Sequence, residues 1–214
     1  MNFFAATLPP PPQRDLYSCA LHLHKELKRA NVPYYFCGGF ACINVGMTAR
    51  TTSDIDIAVP NGAHGYGTLL DIFSKPPFIQ DKTGVLPSDS QYFFAESGGT
   101  FVEVDGIIAG FMAFPTLDQA GIVRLGQQMQ LNFLDPDGLL RLKLSGWANE
   151  TRRKGAKRYG DMQDIRSIRD LLITDKVQLD LKGLKSDMAK GLSEWIREFN
   201  DLKTWQQLDG RYKN

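Results

Sequence analysis

Apolar residues recur along this chain with two different periods, and the switch between them divides it. Leu16, Cys19, Ala20, Leu23, Leu27 and Ala30 come at three- and four-residue steps, which predicts a helix from Asp15 with one apolar face. Asn31-Val32-Pro33 ends it, because a residue before proline avoids helical backbone. Residues 34–37 then read as a short buried strand, followed by Gly38-Gly39, a short helix over 40–45 and a closing Gly46. Over 55–59 apolar residues alternate strictly with polar ones, the mark of a half-buried strand. Pro60-Asn61-Gly62 turns the chain into a helix over 66–73, with Leu69, Leu70 and Phe73 facing inward. Strands are predicted over 91–95 and 100–109 around Ser97-Gly98-Gly99, and a hairpin over 122–125 and 129–133 across Gly126-Gln127. Past Asp135 the period becomes helical, over about 136–149, 161–174 and 184–200.

This order predicts an α/β (α+β) fold: a small mixed sheet with flanking helices, then a helical C-terminal part. The division falls at 1–134, an α/β domain with its N-terminal helix, and 135–214, helices that close one side of a cleft. A chain of 214 residues fits one large domain, or one domain with a helical appendage. At that size it buries roughly 70% of its unfolded surface without staples.

Composition narrows the function classes. The 25 basic and 24 acidic residues nearly cancel, which excludes a whole-molecule positive field for nucleic acid but leaves room for a local patch. The densest basic run is Arg152, Arg153, Lys154, Lys157 and Arg158, readable as a grip on acceptor phosphates or as an exposed turn. Cys19, Cys37 and Cys42 make neither a disulfide framework nor a zinc spacing, so a reducing, cytoplasmic setting is expected. Residues 1–12 lack the pattern of a signal peptide, and no apolar run reaches membrane-spanning length, so no membrane partner is expected. Trp147, Trp195 and Trp205 read as packing residues of the helical part, and the apolar positions of 184–200 as intramolecular packing or a partner face.

The chemistry is concentrated in Cys37-Gly38-Gly39-Phe40-Ala41 and Arg50-Thr51-Thr52-Ser53-Asp54-Ile55-Asp56. Side chains alternate on a strand, so Asp54 and Asp56 share one face while Ile55, Ile57 and Val59 point into the core. Two carboxylates side by side repel unless a cation lies between them. Magnesium suits them, since it takes hard oxygens from one or two carboxylates plus substrate phosphates. Gly38-Gly39, between strand and helix, lets backbone approach a phosphate near unpaired helix N–H groups. A third acid is available in Phe101-Val102-Glu103-Val104-Asp105, where Glu103 and Asp105 share a face. Arg50 either pairs with Asp54 or Asp56, or positions the acids and phosphates.

A glycine pair after a strand, an Asp-x-Asp strand and a third acid on a later strand resemble the DNA polymerase β-like nucleotidyltransferase superfamily. The finer order is similar to its bacterial abortive-infection toxin branch and related small standalone members. Gly38, Gly39, Ala41, Gly46, Arg50, Thr52, Asp54, Ile55 and Asp56 fill that branch's first motif. Lys143 and Asp161-Met162-Gln163-Asp164-Ile165 fill its downstream one. Two positions depart from it: Gly106 follows Asp105, and Gly160 stands where a lysine is usual.

The resemblance implies a pyrophosphate-releasing transferase that uses a nucleoside triphosphate, ATP among them, with Mg2+ or Mn2+. Its metal ligands would be Asp54, Asp56 and, of the two later acids, Asp105. Lys143 would be a triphosphate or catalytic lysine held by Asp161, and Gly38, Gly39, Arg50, Thr52 and Ser53 would lie around the nucleotide. The acceptor is an RNA end, a protein or a small hydroxylated molecule, and the protein a monomer or homodimer. The competing reading is a non-catalytic module that keeps the fold and binds a nucleotide or a partner.

Overall fold

The computed structural model describes residues 11–46, 50–81, 92–95, 100–126 and 130–213. Helix α1 (Gln13–Arg29) buries Leu16, Cys19, Ala20, Leu23 and Leu27, the predicted apolar face. Strand β1 (Tyr35–Cys37) runs directly into α2 (Gly38–Val45), and β2 (Asp54–Val59) follows. A π-type turn over Ala63–Gly67 leads into α3 (Thr68–Phe73). This helix starts later than predicted, and its inward residues are Leu69, Ile72 and Phe73, with Leu70 exposed. Strand β3 (Phe78–Gln80) has no counterpart in the sequence reading, since three residues after a proline pair carry no readable alternation. Strands β4 (Tyr92–Ala95), β5 (Phe101–Ile108), β6 (Ile122–Leu125) and β7 (Leu131–Leu134) match the remaining expectations. Gln91, Ser97-Gly98-Gly99, Gln127 and Met129 lie outside the described residues.

The strands form one seven-stranded mixed sheet in the order β3-β4-β5-β2-β1-β7-β6. The central pair β2 and β5 is parallel, with Asp54 opposite Glu103, Ile55 opposite Val104 and Asp56 opposite Asp105. Residues opposite one another share a face. One face therefore carries Ile55, Ile57, Val102 and Val104, all fully buried, and the other carries the acids. Helices α1 and α3 pack on the apolar face. Gly106 is explained there: a Cβ on it would stand 2.9 Å from Leu69 Cδ2 and 3.2 Å from Phe73 Cε2.

The C-terminal helices are α4 (Pro136–Ala148), α5 (Glu150–Lys154), α6 (Arg158–Thr174), α7 (Ser186–Phe199) and α8 (Leu202–Trp205). Asp135 caps α4 by accepting from Gly138 N, and Pro136 takes the first turn, where its missing N–H costs nothing. The basic run is thus a short helix and a turn, and α6 begins three residues earlier than the periodicity suggests. Trp147 and Trp195 pack edge to face at 5.0 Å, Trp195 meets Trp205 at 6.5 Å, and all three are buried. So α7 spends its apolar face on α4 within the chain. Among the described residues no helix is long and apolar enough to cross a membrane.

The α4–α7 crossing is close because Gly191 allows it. A Cβ there would lie 1.8 Å from the Leu144 carbonyl oxygen, a backbone atom that cannot swing aside. Alanine normally favours a helix over glycine by about 1 kcal/mol, whereas forced overpacking costs about 1–3 kcal/mol. Gly191→Ala is therefore expected to lower the melting temperature by several degrees. Thermal unfolding followed by circular dichroism measures it, and a rise would contradict the close crossing.

Candidate active site

Gly38 begins α2 with φ of +61°, a left-handed conformation that glycine adopts without penalty. The stronger constraint is contact. A Cβ on Gly38 would fall 1.6 Å from Asp56 Oδ2, and one on Gly39 would fall 2.6 Å from Thr52 Oγ1 and 2.7 Å from Arg50 Nη2. The glycine pair thus makes room for the site's own side chains as well as opening the head of a helix. Thr52, itself buried, donates its hydroxyl hydrogen to Asp54 Oδ1 and orients that carboxylate.

Asp54 and Asp56 lie on the wall of a cleft of about 630 Å3, with Gly38, Gly39, Thr52 and Ser53 beside them. Arg50, Lys143, Arg152 and Lys157 add positive charge to the same cleft. Asp105 is in register beside Asp56, just behind the residues that line it. Burial, then the neighbouring charges of Asp54 and Asp105, push the Asp56 carboxyl up to about 7, against the opposing pull of Lys143 and Lys157. Among the described residues no three His, Cys, Asp or Glu side chains form a ready-made metal cage. The donor set nevertheless suits a hard divalent ion, because a cation relieves the repulsion among crowded carboxylate oxygens and a triphosphate supplies further oxygen ligands.

Along the cleft runs an alternating chain of five charges, of which only Asp164 lies behind the lining. Arg50 donates from Nε and Nη2 to Asp164, both at 2.8 Å. Lys143 Nζ lies 2.8 Å from Asp164 Oδ2 and 2.9 Å from Asp161 Oδ1. Arg152 donates from Nε and Nη2 to the same Asp161, at 2.6 and 2.9 Å. Burial works against the Lys143 charge, yet its facing groups leave its pKa raised. Of these, Cys42 is itself pushed up to about 12 and neutral at ordinary pH, so Asp164 and Asp161 sustain the charge. Burial also opposes ionisation of Asp161, but Arg152 and Lys143 outweigh it and hold that carboxyl below its ordinary value. Arg50 therefore pairs with Asp164, not with Asp54 or Asp56, and Gly160 lies in contact with its guanidinium, 3.7 Å from Cζ to an added Cβ.

The rest of the basic run is largely answered within the chain. Arg153 pairs with Glu194, Lys154 with Glu150 and Arg158 with Glu198, while Lys157, 67% exposed, stands 3.9 Å from Asp54 Oδ2. Two parts of the cleft were missed in the sequence. Arg152 is legible only as one member of the basic run, a grip on acceptor phosphates or an exposed turn, with nothing to mark its pairing with Asp161, and the apolar residues 112–114 carry no motif at all.

An antigenic nucleotidyltransferase-like protein from Paracoccidioides brasiliensis superposes with a TM-score of 0.71 at 19% identity, over 96% of this chain and 97% of that one. The chain has the nucleotidyltransferase fold. A second structure with this fold, ANT(2'')-Ia in complex with adenylyl-2''-tobramycin, gives a TM-score of 0.53 at 12% identity, covering 85% of this chain and 99% of that one. The solution structure of the antibiotic-resistance factor ANT(2'')-Ia gives 0.50 at 12% identity, over 89% and 97%. Protein-family models and curated proteins give no match. In this nucleotidyltransferase fold the three acids occupy adjacent central strands on one face, as the motif order led us to expect.

The raised Asp56 carboxyl has a stability consequence. The folded protein holds this proton more tightly than the unfolded chain, so the group costs stability progressively from about pH 4 to pH 7, and in full above. Asp56→Asn in metal-free buffer is expected to raise the melting temperature at pH 8 by about 3–6 °C, for about 1–2 kcal/mol after discounting for water in the cleft. The gain should fall to about a quarter of that near pH 4.5. An equal shift at both pH values, measured by thermal melts, would refute the crowding of these carboxylates.

Proposed function

We propose that this protein is a metal-dependent nucleotidyltransferase that moves a nucleoside monophosphate from a nucleoside triphosphate, ATP among them, to a hydroxyl acceptor, releasing pyrophosphate. The observation that carries the reading is the acid face itself. Asp54 and Asp56 stand beside the glycine-opened head of α2, with Asp105 in register and cationic side chains across the cleft.

The N–H groups at the start of α2 and the Gly38-Gly39 backbone bind the phosphates. Lys143 has three donor hydrogens; Asp161 and Asp164 take two, and the third meets the triphosphate. Thr52 fixes the rotamer of Asp54, Arg50 fixes the segment before it, and Ser53 borders the phosphates. Asp54, Asp56 and Asp105 would hold Mg2+ or Mn2+, which would supply Lewis-acid activation for the acceptor hydroxyl and charge neutralisation for the leaving pyrophosphate. Residues 1–134 would provide the acids and Arg50, and residues 135–214 would provide Lys143, Arg152 and Lys157, which supports that division.

Internal pairing of most of the basic run leaves little positive surface for a long RNA, which supports a small or protein acceptor. The adenylyl-2''-tobramycin in complex with ANT(2'')-Ia illustrates a small adenylylated molecule bound on this fold. The motif order supports the toxin-type branch, and with it a cytoplasmic growth-control role as monomer or homodimer.

Asp54→Asn keeps the side chain's shape and removes its charge. Loss of one preorganised electrostatic element costs ~10²–10³ in rate, and a metal ligand at least that. Pyrophosphate release with each triphosphate and a cell extract as acceptor source is expected to fall accordingly, with the melting curve preserved. Lys143→Ala is a less clean probe, since it strands Asp161 and Asp164, and unpaired buried charges cost about 3–5 kcal/mol. A folded Asp54→Asn protein with full transfer activity would falsify the assignment. Magnesium-dependent nucleotide binding without any transfer would establish the binding-module reading instead.

A further inference from the structure

Two chemically distinct sets of residues line the cleft. One is cationic; the other, Met112, Ala113 and Phe114, is apolar and comes from a different part of the chain from Lys143, Arg152 and Lys157. Residues 112–114 belong to the connection between β5 and β6, which folds back over the acid face. Tyr35 Oη donates to Pro115 O at 2.8 Å, and Gly110 N donates to the same oxygen at 3.2 Å. Tyr35 is opposite Ala58, two positions along β2 from Asp56, so this anchor stands about 7 Å along the strand from the acid. Met112 is held at φ of +53° and is 79% exposed, and its neighbour Phe111 is 59% exposed. Such backbone strain and such exposed apolar surface are costly unless something uses them.

Resting on the nucleotidyltransferase reading above, we infer that the wall formed by Met112 and Phe114 seats the nucleobase of the triphosphate and reads it by stacking, with little recognition of its edge. Charge complementarity assigns the occupant. With the α-phosphate at Asp54 and Asp56 and the outer phosphates on the cationic side, the nucleoside extends toward the apolar wall, and a base has the flat apolar faces to meet it. The wall's side chains offer no hydrogen-bond donor and only a thioether as acceptor. Of the nearby polar side chains, Ser145 spends its hydrogen on Asp187 at 2.6 Å and Asn149 Oδ1 accepts from Arg152 N at 3.1 Å, which leaves few groups to read a base edge. Stacking area then decides preference, so purines bind better than pyrimidines, and adenine and guanine bind alike.

Calorimetry with magnesium and five probes, the four triphosphates and inorganic tripolyphosphate, tests this on the full chain. ATP and GTP are expected to bind within about threefold of each other and more tightly than CTP and UTP. Met112→Ala, at an exposed position, and Phe114→Ala are expected to weaken ATP and GTP by about tenfold, the scale of one lost stacking contact. Tripolyphosphate affinity should stay unchanged. Equal loss for tripolyphosphate and ATP in the Met112 variant would overturn the base subsite, as would no loss for any probe. A hundredfold preference for one purine over the other would overturn stacking as the means of recognition. Failure of the wild-type protein to bind any probe would remove the nucleotidyltransferase reading itself, and the subsite with it.

Discussion

Asp164 is wholly shut off from water, and it accepts from both Arg50 and Lys143. Most of the site's geometry depends on that carboxylate. Arg50 leads into the acid strand, Lys143 lies on α4, and Asp164 itself is on α6, so one anion ties together three elements distant in sequence. A buried carboxylate left alone would be strongly unfavourable, and two buried cations without it would be worse. Such an arrangement adds little net stability over an apolar core, but it holds in one conformation the charges that surround the cleft.

The same logic explains how positive and negative charge coexist within one small cleft. The acids on the central strands repel one another. Of the cations facing them, Arg50, Lys143 and Arg152 have their own carboxylates, and Lys157 alone stands against Asp54, at 3.9 Å. Neither set fully neutralises the other. The outcome is a pair of opposed fields, one suited to a divalent cation and the other to phosphate.

Part of this was legible in the sequence because it is local: alternation on one strand puts Asp54 and Asp56 together. The later acids were legible only as candidates, and it is the parallel register of β2 and β5 that sets Asp105 opposite Asp56 and Glu103 opposite Asp54. The glycine pair was legible as a requirement, although its main reason, room for Asp56, Thr52 and Arg50, needs the third dimension. Gly106 looked like a departure and is a packing necessity against Leu69 and Phe73. The partner of Arg50 was beyond reach because Asp164 lies 114 positions away and nothing near either residue advertises the pair. The inward set of α3 was misjudged at Leu70, since the π-type turn before the helix shifts which residues face the sheet. The apolar wall left no trace because a connection between strands follows no period.

The contact between Gly191 and the Leu144 carbonyl has a mechanical corollary. Two helices whose backbones touch share their motion, and the tryptophans beside that contact stiffen the pair further. Lys143 is next to Leu144, so the cationic jaw of the cleft is braced from behind like a fixed anvil. The opposite jaw hangs on a strand connection pinned by a tyrosine hydroxyl and a few backbone hydrogen bonds. Compliance is therefore one-sided: the strand connection yields more readily than the helix that carries Lys143.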